Sequence, residues 1–195
     1  ISALTGPVRK ALLNNPVRLV PLGFLAAIAF GTLMLLLPIS RVDPQVGGFM
    51  PALFTAVSAV CVTGLVTVDT ATYWTEIGQG FILLLIQVGG FGIMTLSSLL
   101  ALLVRKHLGL RTQLVAASET QALNLGDVRR ILVFVAKTTF AIESAIALVL
   151  SVRFWVINPA DPAGAIWGGV FHSISAFNNA GFALYSDSLI SHAGD

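Results

Sequence analysis

Charge is what this 195-residue chain most lacks. Only 20 residues, or 10%, are Asp, Glu, Lys or Arg, against about a quarter in an ordinary soluble domain. A soluble domain of this size needs a charged surface, and 20 charges cannot supply it. Cysteine is nearly absent too: Cys61 stands alone, which permits no internal disulfide and excludes a secreted disulfide scaffold. A net charge of +2 is too small to mark a nucleic-acid partner. No nucleophile–base set, phosphate loop or metal-ligand spacing occurs, so the pattern points away from an enzyme and calls for no cofactor. What the chain has instead is apolar residues, 56% of the total, with a mean hydropathy of +0.89.

Their placement indicates an all-α polytopic membrane protein. Nothing charged lies in the 22 residues between Arg18 and Arg41, or in the 28 between Glu76 and Arg105. About 20 apolar residues suffice to cross roughly 30 Å of hydrocarbon. Val17–Ile39 therefore reads as one span, with Pro21 in its first turn and Pro38 at its end. It is too long for a signal-peptide core. Gly78–Val104 reads as the second span and Ile131–Ile157 as a third, interrupted by Lys137, Glu143 and Arg153. Glu143 lies too deep to reach an interface and is expected to form an ion pair within the bundle.

Two further charge-free stretches, Pro44–Val68 and Pro162–Ser186, are each 25 residues long. Their composition speaks against simple spanning. One holds Gly47, Gly48, Pro51, Ser58 and Thr63; the other holds His172, Ser173, Ser175, Asn178 and Asn179. Such polar groups are costly in lipid unless they face protein or water. Each stretch is therefore read as a re-entrant hairpin, a short descending helix followed by an irregular ascending strand buried in protein. With both hairpins re-entering from outside, nine of the 11 basic residues fall on one side: Arg9, Lys10, Arg18, Arg105, Lys106, Arg111, Arg129, Arg130 and Lys137. The positive-inside rule places the N-terminus in the cytoplasm.

An internal repeat supports this organisation. At a constant offset of 117, Phe54 matches Phe171, Ser58 matches Ser175, Ala59 matches Ala176, Gly64 matches Gly181 and Gly47 matches Gly164. The same shift lays the first span onto Phe134–Val156, inside the third. One unit is thus helix, re-entrant pore hairpin, helix. The expected order is a cytoplasmic N-terminus (1–16), a first unit (17–104), a cytoplasmic loop (105–130) and a second unit (131–195). The helix closing the second unit would fall at 195–221, so the sequence is expected to be the N-terminal part of a longer chain.

A short helix aimed at the membrane centre presents its negative end there. The residues after it, Cys61-Val-Thr-Gly-Leu65, are able to run extended with their carbonyl oxygens in a pore. Gly64 suits a positive φ or a crowded axis. Rings of such carbonyls replace the hydration shell of a monovalent cation. The run Ala-Val-Cys-Val-Thr-Gly-Leu-Val-Thr-Val-Asp-Thr (59–70), with Phe-His-Ser-Ile-Ser-Ala-Phe-Asn-Asn-Ala-Gly-Phe (171–182), resembles the Trk/Ktr/HKT superfamily of potassium transporters. Gln87-Val-Gly-Gly-Phe-Gly-Ile-Met94 agrees with it, and the likeness is closest to the membrane (pore) subunit of the bacterial Ktr type.

The resemblance implies four such units around one pore, of which about one and a half are present. It implies potassium uptake across the plasma (inner) membrane through a filter with Gly64 and Gly181 at its centre. The flanking filter residues carried over are Cys61, Val62, Thr63, Asn178, Asn179 and Ala180. A homodimer and a cytoplasmic ring of nucleotide-binding regulatory subunits are further implications. The loop segment Thr112–Asn124 is expected to form a short interfacial helix that such a regulator would touch. A secondary transporter holding another small solute at broken helices is the alternative. An intramembrane enzyme would need a pair such as His172 with Asn179 or Glu143, yet His172 reads better as a pore-helix residue bonding its neighbours.

Overall fold

The computed structural model describes residues 16–43, 48–107, 125–188 and 190, with side chains for 21–43, 48–94, 133–188 and 190. The expected cytoplasmic N-terminus up to residue 15 and the interfacial segment Thr112–Asn124 lie outside the described residues. The elements in chain order are α1 (Pro16–Leu36), a 3-10 turn (Pro38–Ser40), α2 (Phe49–Val60), α3 (Thr70–Tyr73), α4 (Glu76–His107), α5 (Leu125–Ile157) and α6 (Pro162–Phe177). Among the described residues the one β feature is an isolated bridge between Arg41 and Trp74. Among the described residues the regular elements are all helical, as the charge-free intervals led us to expect.

Boundaries differ from expectation at several helix ends: α4 runs past the expected Gly78–Val104 on both sides, and α1 stops at Leu36, short of Ile39. α1 opens on Pro16, whose missing N–H costs nothing at a first helical position. Pro21 consequently falls in the second turn, inside the helix, and removes one main-chain bond there. α5 begins at Leu125, so 125–130 continue the helix where a loop was expected.

Glu76–Met94 of α4 and Val133–Ile157 of α5 are long and apolar enough to cross a membrane by length and composition. Pro21–Leu36 is a shorter apolar helix. α5 exposes Phe134, Phe140, Leu148, Val149 and Val156, an apolar surface that water would not tolerate but lipid or further protein would. Hydroxyls within these helices bond back one turn, Thr32 to the Ile28 carbonyl (2.8 Å) and Thr138 to that of Phe134 (2.7 Å).

Packing follows the repeat. α1 lies against α2 and α4, α2 against α4, and α5 runs along α6, while α4 reaches across to α6. The buried centre joins Leu35, Ala56, Val60, Ile82, Ile86 and Phe171. Side-chain caps fix the entry of α6 and α4. The Asp161 carboxylate accepts the Gly164 N–H at 2.9 Å ahead of Pro162, and the Thr75 hydroxyl accepts the Gly78 N–H at 3.2 Å. Arg41 Nη2 donates to the Leu36 carbonyl at 2.8 Å and so closes the end of α1.

Candidate functional site

α2 ends at Val60 and α6 at Phe177, positions related by the 117-residue offset, and both helices stop in the same way. In the first, the Val62 N–H donates to the Ala59 carbonyl (3.2 Å) and the Thr63 N–H to that of Ser58 (2.9 Å). In the second, Asn179 donates to Ala176 (3.0 Å) and Ala180 to Ser175 (2.7 Å). This pair of bonds around a left-handed residue is a common helix terminus. The left-handed residues are Val62 (φ 55°) and Asn179 (φ 56°), and two positions on come Gly64 (φ 69°) and Gly181 (φ 75°). Asparagine visits that region readily, but a β-branched valine is an outlier there. After each turn the chain runs without helix, through 63–66 and 180–183.

The two segments meet. A methyl carbon built on Gly64 would fall on the Ala180 carbonyl oxygen and lie 2.9 Å from the Gly181 Cα. One built on Gly181 would lie 3.3 Å from the Gly64 Cα. Equivalent points of two repeated units that touch must sit beside the axis relating those units. Cys61, Thr63, Asn179 and Gly181 are exposed around this contact, Val62 and Gly64 are half-buried, and Asn178 and Ala180 are buried.

Side chains hold the turns from behind. Thr63 Oγ1 donates to Ser58 Oγ at 3.0 Å, and Ser175 Oγ donates to the Phe182 carbonyl at 2.7 Å. α4 presses two glycines against the helix ends. A side chain on Gly89 would strike the Val60 carbonyl, with the Val60 Cα at 3.0 Å, and one on Gly90 would strike Asn178 Oδ1. The Gly-Gly pair therefore permits close approach just behind both turns.

Glu143 sits in the same place, 4% exposed. Its carboxylate takes the Gln87 Nε2 amide at 3.0 Å and the Asn178 Nδ2 amide at 3.1 Å. Asn178 Nδ2 also reaches Gln87 Oε1 at 3.1 Å and the Ile174 carbonyl at 2.9 Å. The expected partner was an opposite charge; the structure supplies two amides instead, because α4 and the end of α6 converge on this turn of α5. His172 bonds main chain with both ring nitrogens: Nδ1 with the Gly168 carbonyl (2.7 Å), and Nε2 accepting the Leu184 N–H (3.2 Å). With Nε2 an acceptor, the proton sits on Nδ1. The ring ties the strand beyond Gly181 back to its helix and stacks on Tyr185.

The sequence has a match among known proteins. The TrkH model, described as a cation transport protein, matches residues 23–194. The chain belongs to the TrkH family of cation transport proteins. Within the family it is 38% identical over 181 residues to the Ktr system potassium uptake protein B of Bacillus subtilis (strain 168), covering 93% of this chain and 40% of that protein. It is 38% identical over 183 residues to the potassium/sodium uptake protein NtpJ of Enterococcus hirae, with 94% and 40% coverage. The Ktr system potassium uptake protein B of Vibrio alginolyticus is 38% identical over 178 residues, with 91% and 38% coverage. The chain thus spans about two fifths of the length of these TrkH-family relatives.

One more feature of this TrkH-family chain escaped sequence reasoning. Asp69 and Ser186, again 117 apart, are joined where the two extended segments end. The Ser186 hydroxyl, with the Ala71 and Thr72 N–H groups, holds the Asp69 carboxyl below the usual carboxylate range against a smaller opposing effect of burial. The identical spacing was legible; that the two residues touch was not, because proximity to an axis has no sequence signature.

Proposed function

We propose that this chain supplies two of the filter segments of a potassium-uptake pore in the plasma membrane, with potassium the transported substrate. The observation that carries the reading is a contrast. The turns at 61–64 and 178–181 share their bonds and dihedral angles, yet only the glycine is common to both. What two such segments do alike, backbone must do. At an axis between repeated units, backbone offers carbonyl oxygens, and rings of carbonyls dehydrate monovalent cations. The relatives, potassium uptake proteins among them, favour potassium over an organic solute.

In this reading Cys61, Val62, Thr63 and Gly64 pair with Asn178, Asn179, Ala180 and Gly181 as cation ligands through their main chains. α2 and α6 are pore helices that enter from outside, with their C-terminal ends toward the ion. α1, α4 and α5 span the membrane, and the N-terminus is cytoplasmic. Four such segments complete the ring, so further units, a second copy of the chain and a cytoplasmic regulatory subunit belong to the same proposal. The test is uptake by the full-length protein in a bacterium lacking its own potassium-uptake systems. Growth on low potassium is expected, and Gly64→Ser or Gly181→Ser is expected to weaken potassium-over-sodium discrimination. Unchanged discrimination in both variants would overturn the filter assignment.

A further inference from the structure

The second filter turn has a support that the first lacks. Asn178 caps the end of α6, one position ahead of the left-handed Asn179. Its amide is fixed from three sides: by Glu143 of α5, by Gln87 of α4 and by the Ile174 carbonyl of its own helix. Glu143 is fixed in turn, since Gln87 donates to its other carboxylate oxygen (3.0 Å) and the Ser173 hydroxyl donates to its main-chain carbonyl (2.7 Å). At the matching places in the first unit stand Cys61 for Asn178 and Ala26 for Glu143. There the turn relies on the hydroxyl pair of Thr63 and Ser58.

We propose that the Gln87–Glu143–Asn178 ring is a positioning device that sets the cation affinity and selectivity of the second filter segment. Glu143 and Gln87 act through Asn178 without touching the ion, and the inference rests on the filter reading given above. The ring has a direction. A carboxylate accepts at both oxygens, and the two amides that face it each present an N–H. An isosteric glutamine at 143 sets a donor against a donor at one of those contacts. Turning the Asn178 amide over to relieve this would aim its oxygen at the Ile174 carbonyl. Either way Asn178 shifts, and the carbonyls that follow it move by tenths of an ångström. A dehydrated potassium ion is sensitive to such a shift, because those oxygens replace its water.

The experiment measures potassium KM, maximal rate and potassium-over-sodium preference for the full-length protein in uptake-deficient cells, with membrane protein quantified. Glu143→Gln and the smaller change Asn178→Ser are compared with wild type. Each is expected to raise the potassium KM about tenfold, the scale of one hydrogen bond lost at a charged group, and to lower the preference for potassium. Both quantities are independent of how much protein reaches the membrane, so reduced insertion does not mask them. In the double variant the two effects should not add, because one broken ring cannot be broken twice. Normal KM and preference in both single variants, with only the maximal rate reduced, would show a role in folding alone and overturn the proposal. A wild-type protein that carries no potassium would instead overturn the filter reading itself.

Discussion

Replacing the two candidate filter glycines by alanine should have unequal effects, and the structure sets the order. Both glycines have positive φ, 69° at Gly64 and 75° at Gly181. An L-residue there costs about 1–2 kcal/mol at either site. The space differs. At Gly64 the new carbon overlaps the Ala180 carbonyl oxygen and lies 2.9 Å from the Gly181 Cα, so backbone must move. Overpacking of that kind adds about 1–3 kcal/mol. At Gly181 the nearest atom is the Gly64 Cα at 3.3 Å, which a small displacement relieves. Gly64→Ala should therefore be worse by about 1–3 kcal/mol, and so should lower the melting temperature of the detergent-purified full-length protein more. The same order should appear in uptake, with a potassium KM raised at least about fivefold more than in Gly181→Ala. Equal effects, or greater harm at Gly181, would refute the placement of Gly64 against Ala180.

Three further outcomes are expected. Val62 is a β-branched residue in the left-handed region, so Val62→Asn should melt higher than Val62→Thr by about 1 kcal/mol; the reverse order would deny the strain. Gly89→Ala places a carbon on the Val60 carbonyl, whereas Gly23 has nothing within 4 Å. Gly89→Ala should thus destabilise by about 1–3 kcal/mol while Gly23→Ala is neutral or stabilising by about 0.5–1 kcal/mol, both read from thermal melts. Asp69, outside the spanning helices, has its carboxyl pulled below the usual range chiefly by the Ser186 hydroxyl. A depressed folded pKa contributes stability that is present above the unfolded value and lost as pH falls through the folded one. The wild-type melting temperature should therefore fall more steeply below about pH 4 than that of Asp69→Asn; parallel curves would exclude the contribution.

The sequence made the repeat and the two special glycines legible for one reason: each depends on local chemistry. A positive φ favours glycine, and small polar residues in an apolar stretch demand cover, so Gly64, Gly181 and the segments around them stood out. Asn179 carried a weaker local signal, as an asparagine just beyond a helix. Val62 carried none, because its φ is imposed by the turn against its own preference. The partners of Glu143 were also illegible. Gln87 is 56 residues from it and Asn178 is 35 away, and only the packing of α4 against α6 brings the three together. Helix ends were misjudged where prolines and charges compete: Pro16 opens α1, which moved Pro21 into its interior.

The glutamine side chains that link the two units, Gln79 and Gln87, lie on one helix, and that placement explains how two units are held in register. In a membrane the apolar faces of helices gain nothing from one another that lipid does not also offer, so association rests on close packing and on polar links. α4 has both. Gln79 accepts from Trp167 Nε1 at 2.7 Å and donates to the Trp74 carbonyl at 3.1 Å. Eight residues on, or about 12 Å along the axis, Gln87 meets Glu143 and Asn178. On either side of these rungs, Gly78, Gly89 and Gly90 lie against Ser40, Val60 and Asn178 with no room for a side chain. A slip of α4 by one turn would break both amide rungs and drive larger residues into the places of the glycines. α4, the closing helix of the first unit, thus fixes through side chains where the second unit stands against the first, beside the backbone contact of Gly64 with Ala180 and Gly181.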